Sequence, residues 1–134
     1  MYRILLVGHD LRLLSTRAAV LQKISDHVAS CNAAEALTFL ESETPNLVVL
    51  CHSLSAEDAQ RIADKAHGRS EGTRVLMLVS ELDDPGRLQG DAKFDAITLP
   101  EPSRLITRTT ELLQSLSNHQ LEEIENARQR RIAS

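Results

Sequence analysis

Three short apolar runs with no polar break constrain this chain most: Ile4-Leu5-Leu6-Val7, Leu47-Val48-Val49-Leu50 and Val75-Leu76-Met77-Leu78-Val79. A strand with one wet face alternates apolar and polar residues. A continuous run is what a strand needs when both faces are covered, as in a parallel sheet. Gly8 closes the first run and Cys51 closes the second, so each strand is expected to open there into a turn.

Between the runs the period changes from strand to helix. Asp10 stands at an N-cap position before Leu11 to Ile24, where Leu14, Ala18, Leu21 and Ile24 recur at helical spacing. His27-Val28-Ala29-Ser30 is a weaker strand, and Asn32 reads as the cap of a helix from Ala33 to about Ser42. Glu35 falls in that helix's first turn, where the dipole favours an acid. Thr44-Pro45-Asn46 predicts a turn. Ser55 followed by Asp58 predicts a capped helix from Ala56 to about His67, with Gly68 just past its end. Glu81 to Gly90 reads as a poor, short helix. Phe94-Asp95-Ala96-Ile97-Thr98 reads as a last strand, and a long helical stretch starts near Ser103 and runs towards Arg131.

Strands alternating with helices in this way define an α/β fold, a doubly wound flavodoxin-like (βα)5 sandwich with an extended C-terminal helix. Its boundaries are expected at residues 1–118 for the domain and 119–134 for a helical extension.

Composition narrows the function. The chain has 134 residues and a formal charge of −4, too acidic for nucleic-acid binding by bulk electrostatics. With one Tyr, two Phe and no Trp it lacks a platform for stacking bases. Two cysteines make no disulfide framework, and Cys31 reads as structural. The glycines are scattered among turns, which speaks against a phosphate cradle or a dinucleotide cofactor. No apolar run approaches the roughly 20 residues that span a bilayer. No cofactor and no membrane partner are expected, and a cytoplasmic location is.

The order of these segments resembles the CheY-like receiver domains of bacterial two-component response regulators, over about residues 2 to 117. The likeness is carried by Ile4-Leu5-Leu6-Val7 with the Gly8-His9-Asp10 corner, Ala33-Ala34-Glu35-Ala36-Leu37, Pro45-Asn46-Leu47-Val48-Val49-Leu50, Arg74-Val75-Leu76-Met77-Leu78, and Phe94-Asp95-Ala96-Ile97 with Leu99-Pro100. It implies a five-stranded parallel sheet in the order 2-1-3-4-5. It also implies an aspartate that accepts a phosphoryl group after the third strand, an acidic pair that holds Mg²⁺, a hydroxyl after the fourth strand and a lysine after the fifth.

This chain departs from that pattern at each place. Cys51 stands at the acceptor, and Gly8 and His9 stand at the acidic pair. Val79 stands at the hydroxyl with Ser80 beside it, Ile97 replaces a switch aromatic, and Leu99 or Pro100 replaces the lysine. Mg²⁺ needs hard oxygen ligands, and of the acids only Asp10 remains near, where it reads as a helix cap. The resemblance therefore implies a stand-alone, degenerate pseudo-receiver. It would be a protein-interaction module independent of phosphorylation, with no enzymatic activity.

Two other readings stay open. Cys51 and His9, at the carboxyl ends of neighbouring strands, could form a redox- or metal-responsive sensor. A phosphorylated receiver with an unusual acceptor is the second. His52, next to Cys51, is expected on the opposite side of the strand, which weakens a shared metal site. The resemblance implies a histidine kinase or another regulator as partner. The family's output face, formed by its fourth and fifth helices and last strand, is one expected contact surface. Leu112, Leu116, Leu121 and Ile124 on the C-terminal helix offer a stripe for a homodimer. Asn118-His119-Gln120 breaks the heptad phase, so a regular coiled coil is not expected.

Overall fold

The computed structural model describes residues 2–69, 72–79 and 94–115. Strand β1 (Arg3–Val7) leads to α1 (Leu11–Leu21), β2 (His27–Cys31), α2 (Ala33–Ser42), β3 (Leu47–Leu50), α3 (Ala56–Arg69), β4 (Arg74–Leu78) and β5 (Ala96–Thr98). A last helix, α4, covers residues 102–115. The five strands form one sheet in the order β2-β1-β3-β4-β5, and every pair is parallel. This is the doubly wound flavodoxin-like fold expected from the apolar runs.

Alternation within the continuous runs divides the core in two. Leu5, Val7, Val48, Leu50, Val75 and Met77 face α2 and α3. Ile4, Leu6, Leu47, Val49, Leu76 and Leu78 face the other way, towards Leu14 and Leu21 of α1 and Leu105 and Leu113 of α4. Cys51 continues the second set, so its side chain enters the layer under α1 and α4.

The caps follow local chemistry. One carboxylate oxygen of Asp10 accepts from the N–H groups of Arg12 and Leu13. Asn32 and Glu35 form a reciprocal capping box that satisfies two orphan donors of α2. The hydroxyl of Ser55 accepts from the N–H of Asp58 at 3.1 Å.

Three expected bounds shift. Helix α1 stops at Leu21 rather than Ile24, because the next turn tightens and the Ile24 N–H bonds to the Leu21 carbonyl. Ile24 still packs on the core from that turn. Gly68 lies inside α3, not beyond it, and its φ is outside the left-handed region. The last strand begins at Ala96 rather than Phe94. There the Asp95 carboxylate accepts from the Val75 N–H at 2.7 Å, and it meets His67 Nε2 at 2.8 Å and Arg74 Nη1 at 3.6 Å. This residue ties α3, β4 and the start of β5 together at one end of the sheet. The expected helix over 81–90 and the extension 119–134 lie outside the described residues.

Candidate functional site: a closed pocket at the end of β3

The carboxyl ends of β1 and β3 meet where the fold places its crevice. Backbone bonds fix the junction: the Cys51 N–H donates to the Val7 carbonyl at 2.9 Å, and the Gly8 N–H to the Cys31 carbonyl at 3.0 Å. The two loops are joined by a side chain as well, since the His9 N–H donates to Ser53 Oγ at 3.0 Å.

A side chain at Gly8 would be tightly crowded. A Cβ there would lie 3.0 Å from Cys51 Cβ, 3.2 Å from Cys51 Sγ and 3.2 Å from Ser53 Oγ. The first of these atoms is bonded directly to the Cys51 backbone, which is tied to Val7, so no side-chain rotation moves it aside. Cys51 is 1% exposed, so thiol and glycine close on each other.

The remaining expected residues fall as follows. Asp10 is exposed and its carboxylate is used in capping α1. The His9 ring is at the surface. Val79 is buried in the sheet, and its N–H donates to the Thr98 carbonyl. Leu99 and Ile97 are half-buried against the α2–α3 core. Leu112 is half-buried on α4 beside the other core cluster. Ser80, Leu116, Leu121 and Ile124 lie outside the described residues.

Two neighbours of Cys51 were not read from the sequence. Ser53 is the first. Arg17 is the second: it is 5% exposed on the inner face of α1, between Leu14 and Leu21. Its Nη2 donates to His52 Nδ1 at 3.4 Å, and its guanidinium stands beside the Cys51 thiol. The expectation for His52 is corrected here. β3 ends at Leu50 and residues 52–53 turn, so strand alternation no longer applies and His52 meets the same arginine as Cys51. A signal was present in the sequence, for Arg17 falls three residues after Leu14 and four before Leu21, on the apolar stripe.

The thiol is not poised as a nucleophile. Burial pushes the Cys51 pKa above its ordinary 9.0, and the opposing hydrogen bond and charge of Arg17 do not overcome it. Burial and the nearby Glu35 carboxylate raise Cys31 to about 11. The cysteines are free, and β1 separates their strands. Among the described residues, no three His, Cys, Asp or Glu side chains are grouped so as to hold a metal ion. The donors present do not fit Mg²⁺: a glycine, a buried thiol and a guanidinium replace the hard oxygens it requires.

A cleft of about 580 Å³ lies beside the free edge of β5. Ile97 and Leu99 form part of its wall, and Ser103, Arg104, Thr107 and Arg108 of α4 line the opposite side. Among the described residues, no helix is long and apolar enough to cross a membrane.

The sheet order and the two helical layers define the class: this is the fold of CheY-like response regulator receiver domains. No family model and no curated protein matches the chain. Solved structures do match it in shape. The chemotaxis response regulator CheY4 of Vibrio cholerae superposes with a TM-score of 0.71 at 15% identity, over 84% of this chain and 98% of that one. A CheY-like receiver domain protein from Methanospirillum hungatei JF-1 gives 0.71 at 22% identity, over 91% and 98%. The BeF3-activated DrrB receiver domain gives 0.70 at 23% identity, over 85% and 98%.

Proposed function

We propose that this chain is an atypical receiver domain of a two-component signalling system, working as a protein-interaction module without phosphorylation and without enzymatic activity. The observation that carries this reading is the contact of Gly8 with Cys51. A missing acid could be a single lost ligand, but here a Cβ at position 8 would meet Cys51 Cβ at 3.0 Å, so a carboxylate could enter only if its neighbours gave by a few tenths of an ångström. Among the described residues, Val79 and Leu99 stand where the family's hydroxyl and lysine are expected and offer a phosphoryl oxygen neither charge nor hydroxyl. The raised thiol pKa and the exposed His9 give the redox- or metal-sensor reading no support.

Output then passes through surfaces. The cleft beside β5 and α4 is the proposed contact face for a histidine kinase or another regulator, in a cytoplasmic setting. The stripe of Leu112, Leu116, Leu121 and Ile124 is proposed as a homodimer contact. Titration with Mg²⁺ and beryllofluoride, followed by amide NMR, tests the main claim. No shift is expected at residues 8–10 or 51–54, and a saturable, Mg²⁺-dependent shift there overturns it. Pull-downs with and without residues 119–134 test the contact surface. Loss of partner or dimer on truncation is expected, and unchanged capture removes the tail from the interface.

A further inference from the structure

Among the described residues, Arg17 is a buried cation that no anion faces. It sits in a layer built mainly from Leu, Ile and Val, and an arginine cannot shed its proton to escape burial. No ion pair joins it among the described residues. Its two neighbours are weak ones: an imidazole nitrogen at 3.4 Å and a thiol whose burial favours the neutral form. Its Nη1 is buried with no hydrogen-bond partner. A buried guanidinium normally survives because a carboxylate faces it. Here an N–H is left over on a guanidinium that lies beside the side chain of residue 51.

We propose that Arg17 is a tethered internal counter-cation for position 51, arranged for an acidic group there. With a thiol in that position, it fastens the end of β3 and the following turn to α1 with no need of a bound ligand. The inference deepens the ligand-independent reading above, since it says how the pocket holds its shape. It is separable from that reading, which the beryllofluoride titration of the parent protein decides alone.

The geometry supports fastening as well as charge balance. Arg17 is anchored between Leu14 and Leu21, so its head cannot leave without disturbing the apolar stripe of α1. It reaches His52 in the turn, while Cys51 is fixed by its bond to Val7. The Leu54 N–H, which donates to the Cys51 carbonyl at 3.1 Å, closes the same turn. Removing the guanidinium therefore loosens residues 51–54 before it loosens the sheet.

A double-mutant cycle tests the charge role. Urea unfolding is measured for the parent, Cys51→Asp, Arg17→Met and the double variant. In the parent background Cys51→Asp is expected to change the folding constant by no more than roughly 10-fold, because the free N–H and the charge of Arg17 receive the carboxylate. In the Arg17→Met background the same change is expected to cost roughly 100-fold or more, as an unpaired buried charge does. An equal cost in both backgrounds overturns the proposal. Amide hydrogen exchange keeps the test decisive if the acid variants do not fold. Residues 51–54 are expected to exchange at least about 10-fold faster in Arg17→Met than in the parent, with partial rescue by Arg17→Lys, which keeps the charge. Equal protection in the parent and both variants refutes the fastening role.

Discussion

Gly8→Ala is the sharpest probe of whether the pocket is closed. The added Cβ would meet Cys51 Cβ at 3.0 Å, and Cys51 Sγ and Ser53 Oγ at 3.2 Å. Two of those atoms can rotate, but Cys51 Cβ is fixed to a strand that bonds to β1 through its own N–H. The backbone must therefore give way, and overpacking of this kind costs about 1–3 kcal/mol. An opposing effect exists. Gly8 has a φ outside the left-handed region, so alanine also restricts the unfolded chain, a gain of about 0.4–1 kcal/mol. The clash wins, and the net loss is roughly 0.5–2 kcal/mol. For a domain of this size that is a fall in Tm of about 2–10 °C. Thermal and urea unfolding followed by circular dichroism measure it, with the urea m-value unchanged.

Gly68→Ala supplies the matching control. It sits in α3 with nothing within 4 Å of the new Cβ, and is expected to gain about 0.5–1 kcal/mol. A second check is the background Cys51→Gly, which removes the two nearest clashing atoms and should lessen the cost of Gly8→Ala. If Gly8→Ala is neutral or stabilising in the parent, the pocket has slack, and the case against a side chain at that position fails.

Three other outcomes are expected. Asp95→Ala should lower stability by roughly 1.5–3 kcal/mol, because a charged acceptor is taken from the Val75 N–H, His67 and Arg74 together, as chemical denaturation can show. Asn32→Ala removes the acceptor of the α2 capping box and should cost about 1 kcal/mol, while an exposed control such as Thr38→Ala costs less. The third concerns thiol titration. Cys31 is raised from its ordinary 9.0 to about 11, so the folded state holds its proton more tightly than the unfolded state. That contribution is complete below pH 9 and is lost as pH rises towards 11, so a Cys31→Ser variant should show a flatter urea midpoint over this window. Both thiols should also resist alkylation of the native protein at neutral pH.

What could be read ahead of the structure was what local chemistry decides. The unbroken runs at β1, β3 and β4 revealed a sheet covered on both faces, and Asn32 was legible as the cap of α2, though the return bond from Glu35 that completes the box was not. The pocket was half legible. Gly8 and Cys51 stood out as missing acids, but that one crowds a side chain at the other depends on two strand ends meeting. Ser53 and Arg17 stayed hidden for the same reason: their partners are 44 and 35 residues away. Gly68 misled because a glycine near a helix end often terminates it, whereas here the helix continues to Arg69. His52 misled because strand alternation was carried one residue beyond the strand.

The contact between Gly8 and Cys51 also makes the two positions unequal targets for redesign. The crowding at position 8 comes first from the Cβ of residue 51, an atom every side chain carries, so it persists whatever chemistry stands at 51. New chemistry beyond that carbon leaves the contact as it is, whereas a first carbon at position 8 asks its neighbours to give by a few tenths of an ångström. Rebuilding an acidic pair here therefore takes a small shift of the chain as well as two carboxylates.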